Sequence, residues 1–414
     1  MKPSCILFFV AFAAAASHAT VPTATITGVS TDAATHVVTV TYTLSGPAIV
    51  TTDFLTNGVS VGAANFSTLY GDVNRYVTNV TSSCSFKWLP GVHGDWQGGN
   101  FDVRLKTWSM NCPPDYMAVD LVATNQIWFY VSEGAIPLGV QHVLYKSTRL
   151  LMRKIPAAGV TYRMGAPSTE IVNANEPVHL VKLTNDFYIG VFPVTQRQWK
   201  TMTEQNAVIG HRDESTHPQH WLYPVNNVSY NALRGSVADG IDWPTTARFA
   251  VAVNSHIQTI RSLTGISTMD LPTEAEWEYA CRAGASGAHF DGSSMSLADT
   301  DEIGWYANNS AVGGTKQPHP VGLKKPNGWG LFDVLGNMHE WCMDWSGDYV
   351  FEDAAVATVA PKGAFSGTSR VKRGGGTYEH GIHHLRCAKR DAGMPDSSTE
   401  YNGFRLYCSI PVNP

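Results

Sequence analysis

Residues 21–112 alternate apolar and polar side chains, and this period of two constrains the chain more than any other feature. "ATITGVS", "HVVTVTYTLSG" and "AIVTTDFLTNGVSVG" read as half-buried strands separated by Gly, Asn and Asp turns; "GGNFDVRLKTWSMNC" repeats the pattern. Each such strand has one apolar face to bury. Short, regularly spaced strands do so by packing two antiparallel sheets together, so the segment is predicted to be a β-sandwich of immunoglobulin or fibronectin type. Cys84 and Cys112 lie near two of these strands and could bridge. Trp88 and Trp96 fall between them in a Pro/Gly-rich loop, so the Cys-Trp-Cys pattern of antibody domains is not met. Such a domain is a spacer or a binder of carbohydrate or protein, and fold alone does not choose.

The N-terminus, "MKPSCILFFVAFAAAASHAT", has an early lysine, an apolar run from Cys5 to Ala16 and a small-x-small end at Ser17-His18-Ala19. The run is too short to cross a bilayer, and the three parts in this order mark residues 1–19 as a signal peptide. Cys5 has no lipobox before it, and no later segment is apolar for long enough to span a membrane. Export to the periplasm, the cell surface or the medium is expected. Cleavage leaves Cys84, Cys112, Cys281, Cys342, Cys387 and Cys408. An even number in an exported chain favours disulfides, and no CxxC spacing supports metal ligation instead. The chain has 414 residues, enough for two or three domains, and a net charge of −5 with no basic run, which argues against nucleic acid as a partner.

From about residue 158 the character changes to tryptophans, glycines and short turns. In "LPTEAEWEYACRAG", Thr273 is placed to cap a helix with Glu276 three residues on, and Gly284 ends it. Further helices are predicted from Thr195 in "VTQRQWKTM" and across "TTARFAVAVNSHIQTIRSLTG", ended by Gly265. Trp305, Trp329, Trp341 and Trp345 form a possible sugar platform, but read better as core in a region this poor in helices. Asp396 and Arg405 read as an internal hydrogen-bonded pair.

Six blocks occur in order: "YRMG", "FYIGVFPVTQRQWKTM", "PVNNVSYNAL", "LPTEAEWEYACRAGA", "KPNGWGLFDVLGNMHEWCMDW" and "NGFRLYC". Together they resemble the formylglycine-generating enzyme, or sulfatase-modifying factor, family over residues 155–410. The resemblance implies a variant C-type lectin fold with little regular secondary structure. The expected fold class is therefore α+β: a signal peptide at 1–19, a β-sandwich with connector at 20–150, and a sulfatase-modifying-factor-like domain at 151–414. Authentic members oxidise a sulfatase cysteine to formylglycine with copper and oxygen, and two cysteines after the Gly-Gly of the closing loop hold the metal. The resemblance also implies a structural calcium held by Asp333, Gly336, Met338 and Glu340. It implies a disulfide joining Cys281 to Cys387, which leaves Cys84 with Cys112 and Cys342 with Cys408.

One departure matters most. The loop that should hold copper is "RGGGTYEHGIHHLRCAKR", residues 373–390, and its single cysteine, Cys387, falls on the family's structural cysteine. Cu(I) takes soft thiolates held close together, so copper is not expected here. Tyr378, Glu379, His380, His383 and His384 remain as candidate binding residues, able to stack on or hydrogen-bond a peptide, a protein or a carbohydrate. Imidazoles also suit a metal, but adjacent His383 and His384 do not easily reach one ion from an extended loop. Two functions follow: a binding module without oxidase chemistry, or an enzyme of the family with a rearranged site.

Overall fold

The computed structural model describes residues 21–61, 68–89, 101–167, 170, 175–205, 220–293, 295–351 and 353–412. The expected signal peptide, with Cys5, and Trp96 lie outside them. The described chain is mixed α/β, mostly strand with few helices.

The alternation at the N-terminus folds as its period dictates. In the strand Val38–Leu44, Val38, Val40, Tyr42 and Leu44 point inward and the residues between them outward. This strand pairs antiparallel with Ala24–Thr31 on one side and Cys84–Trp88 on the other. A second sheet centres on Ala48–Thr56, which turns through Asn57-Gly58 into Val59–Ser60 and pairs with Arg75–Val77 and Asp102–Trp108. The two sheets share one core, where Phe54 of the second stacks on Trp88 of the first with ring centroids 3.9 Å apart. Trp88 is thus not a loop residue as the sequence suggested. It ends a strand, fully buried, because its place in the alternation falls on the inward face.

The sequence divides the chain at 150/151, but a six-stranded antiparallel sheet runs across that point. Its order is Ile127–Tyr130, Tyr116–Asp120, Arg149–Ile155, Phe187–Gly190, Tyr407–Ser409 and Met269–Asp270. The expected connector supplies two of these strands. Ile49 of the N-terminal sheets joins the same core cluster as Met117, Met152 and Trp341.

Three helices pack on this framework. Glu274–Arg282 begins at the Thr273–Glu276 capping box, an arrangement that contributes about 1 kcal/mol. It ends one residue earlier than expected, at Ala283 in a left-handed conformation. Gln196–Thr203 is capped by Thr195 as predicted. The third helix is shorter than its apolar pattern suggested, covering only His256–Thr264 before Gly265. The Ser255 side chain accepts from the Gln258 amide and starts the helix there.

A four-stranded sheet carries the site. Its order is Arg390–Gly393, Arg370–Arg373, His339–Trp345 and Asn402–Gly403, with only the last pairing parallel. Behind it, Glu274 takes Arg373 at 2.9 Å and Arg390 at 2.7 Å, while Glu278 takes Arg373 at 2.6 Å and Arg282 at 2.8 Å. All five are buried. Such pairs add little net stability over apolar packing, but removing one partner strands a buried charge. The network therefore fixes where Arg373 and Arg390 sit, and these two residues bracket the glycine and histidine loop.

Candidate functional site

The site forms where the sheet edge meets that loop. His339 opens the strand His339–Trp345, straight after a turn at Gly336 and Asn337. Gly336 has φ +82°, and a Cβ there would lie 2.5 Å from the Trp305 carbonyl oxygen, so only glycine lets the turn pass. The Asn337 amide bonds the backbone of His319 through both ends and fixes the turn. On the neighbouring strands, Lys372 and Asp391 stand directly opposite each other. The loop then returns Glu379 over them. At Gly375, with φ +74°, a Cβ would lie 2.9 Å from the His384 carbonyl oxygen, so glycine lets the two arms of the loop pass closely. The Glu379 amide bonds the Gly376 carbonyl, and its own carbonyl accepts from Ala307.

Three polar side chains converge as a result. His339 Nε2 lies 2.8 Å from Glu379 Oε1 and 3.3 Å from Asp391 Oδ2. The other Glu379 oxygen lies 3.1 Å from His384 Nδ1. The hydrogen bond with His339 holds the Glu379 carboxyl down at about 2, against partial burial, which pushes it up. Burial lowers His384, with Glu379 pulling it back up. Lys372 is 3.9 Å from Asp391 and 3.2 Å from the Asn402 side-chain oxygen, and burial lowers its ammonium. Tyr378 meets Tyr401 edge-on, with centroids 4.5 Å apart. The cavity they enclose, about 260 Å³, also takes in Thr377 and Met338. Its mixed charge and aromatic rim suit a polar ligand.

Of the five loop residues expected to bind, Tyr378 and Glu379 line this pocket, and His384 stands behind Glu379. His380 turns away to Lys316, 2.8 Å distant, and His383 lies tilted against His384 with centroids 4.2 Å apart. Reasoning from sequence missed His339, Lys372, Asp391 and Tyr401. His339 stands inside the "GNMHEW" block, between two residues that were assigned to calcium.

That calcium set does not fit the structure. Both Glu340 oxygens are spent: Oε1 on Arg405 at 2.8 Å and Oε2 on Trp277 at 2.7 Å, all three side chains buried. The Gly336 carbonyl accepts from Met338. Asp333 accepts from the Gly322 amide at 2.6 Å and from Asn337 at 3.3 Å, and burial pushes its carboxyl up to about 6. A cation needs charged, uncommitted oxygens, and the Asp333, Gly336 and Glu340 oxygens already have partners. The same contact corrects the expected Asp396–Arg405 pair, since Arg405 spends its charge on Glu340.

The six cysteines among the described residues are thiols in this structure, including the pair expected to be bridged. Cys281 and Cys387 nevertheless face each other, buried, with sulfurs 3.5 Å apart. The other expected pairs are not prepared in this way. Cys84 donates to the Asn79 carbonyl while Cys112 is exposed, and Cys342 and Cys408 belong to different core clusters. Trp341 and Trp345 are core as expected, whereas Trp305 and Trp329 are half-buried, Trp305 lying flat on His319. Among the described residues, no helix is long and apolar enough to cross a membrane.

Comparison with known proteins places this architecture. The Sulfatase-modifying factor enzyme 1-like domain matches residues 146–410. The formylglycine-generating enzyme of Bos taurus is 37% identical over 143 residues, which cover 33% of this chain and 37% of that enzyme. The chain thus matches well under half the length of this relative. The formylglycine-generating enzyme of Thermomonospora curvata is 27% identical over 278 residues, 60% of this chain and 90% of that enzyme. Treponema denticola variable protein 1, a solved structure, is 25% identical, with a TM-score of 0.49 over 63% of this chain and 96% of its own. By the extent of the domain match, the chain belongs to the family of the Sulfatase-modifying factor enzyme 1-like domain.

Proposed function

We propose that the protein is an exported binding member of this family that does not generate formylglycine. In this reading the N-terminal sheets are an immunoglobulin- or fibronectin-type module, and they carry a domain of C-type-lectin-like fold. The pocket of His339, Glu379, Asp391 and Tyr378 takes a peptide or a carbohydrate.

One observation carries the reading. The loop that holds copper thiolates in the family turns Glu379 into the pocket with His384 behind it, while its single thiol, Cys387, is buried against Cys281. Hard oxygen and imidazole donors do not replace the thiolate pair that Cu(I) takes, so copper does not fit. Tyr378 and Tyr401 supply flat surfaces, and the carboxylates supply acceptors for hydroxyl or amide groups.

A second reading, an enzyme of the family with a rearranged site, is favoured by the same crowding of His339, Glu379 and Asp391 in a cavity. The reaction itself separates the two: a sulfatase-motif peptide incubated with the protein, copper and oxygen, and read by mass spectrometry.

A further inference from the structure

We infer that His339, Glu379 and Asp391 form a site for a divalent first-row metal ion, bound by one imidazole and two carboxylates. One ligand atom from each of His339, Glu379 and Asp391 lies within 4.8 Å of the other two, and His339 Nε2 is 2.8 Å from Glu379 Oε1 and 3.3 Å from Asp391 Oδ2. Ligands about 2.1 Å from an ion in octahedral or tetrahedral geometry stand about 3.0–3.4 Å apart; the Asp391 edge already has that length, and the Glu379 edge, now a hydrogen bond, need open by only a few tenths of an ångström.

The three come from separate parts of the chain, each independently fixed. His339 is 6% exposed and anchored by the turn before it, Asp391 follows the clamped Arg390, and Glu379 hangs on two backbone hydrogen bonds. His384 bonds the second oxygen of Glu379 and so orients this carboxylate from behind, the kind of outer contact that metal-binding carboxylates usually have. Imidazole with carboxylates suits zinc, manganese, iron or cobalt rather than a thiolate-bound ion. The remaining coordination positions open into the cavity of about 260 Å³. A dication neutralises Glu379 and Asp391, and Lys372 beside them then leaves the pocket net positive, so the open positions favour an anionic group such as a carboxylate.

The inference is independent of which organic ligand enters, because it is read on the metal itself. Metal-free full-length protein is titrated with Co²⁺ and with Zn²⁺, following the visible cobalt spectrum and the metal retained after gel filtration. About one equivalent should be retained. Asp391→Asn, a change at a partly exposed position, should weaken binding by about tenfold or more, as should His339→Ala if circular dichroism shows it folded. If the cluster is held together only by a proton on His339, wild-type protein will retain no metal, and the inference fails. Stoichiometric binding that survives Asp391→Asn and Glu379→Gln unchanged would also overturn it.

Discussion

Cys281, on the capped helix, and Cys387, at the end of the histidine loop, face each other 106 residues apart in sequence with sulfurs 3.5 Å apart and no water access to either. Each thiol is held where the other can reach it. In an oxidising compartment we expect a disulfide between them. Closing a loop of this length stabilises by about 4–5 kcal/mol in the chain-entropy model, with less commonly realised. Peptide mapping of exported protein without reductant should recover the linked pair. A free thiol at Cys281 in that material would contradict it.

Glu340 and Arg405 lead to a second expectation. Because Glu340 is spent on a buried guanidinium and an indole, Glu340→Gln should cost about 3–5 kcal/mol by leaving Arg405 unpaired. The loss should be equal with calcium and with chelator. A loss that appears only in calcium would restore the ion that the donor set argues against.

Asp344 gives a pH dependence. Burial pushes its carboxyl up to about 7, and the neighbouring Glu274 charge adds to the shift. A carboxyl raised on folding binds its proton more tightly in the folded state. Its stabilising contribution is therefore complete below the ordinary carboxylate range and is lost as pH rises through about 7. Asp344→Asn keeps an acceptor for the Glu274 amide, 2.7 Å away, and cannot ionise. Denaturant titrations at pH 5 and pH 8 should show a smaller drop for the variant than for wild type. Equal drops would show that Asp344 ionises normally.

The legible parts of the sequence were those whose signals are local. A capping box spans four residues, so Thr273 and Glu276 announced their helix, and alternation announced Val38–Leu44. The extra helical turns expected over residues 245–254 failed because apolar spacing there serves packing, while Ser255 decides where the helix starts. Glu379 and His384 could be picked out because they crowd one short loop. Their partners could not, because His339 arrives by strand pairing from 40 residues before Glu379 and Asp391 on the strand after the loop, and no spacing encodes that juxtaposition. Arg405 was paired with Asp396, nine residues before it in the same closing block, while the fold gave it Glu340, 65 residues away.

The central claim is that this family member does not make formylglycine, and the oxidation assay tests it most directly. Full-length protein, reduced and incubated with copper, is given a cysteine-containing sulfatase-motif peptide and oxygen, beside a blank of copper alone. The account predicts that mass spectrometry finds no aldehyde-bearing peptide above the blank, because Cys387 is buried against Cys281 and the pocket offers His339, Glu379 and Asp391 in place of thiolates. Formylglycine product accumulating well above the copper blank, over repeated turnovers, would contradict it.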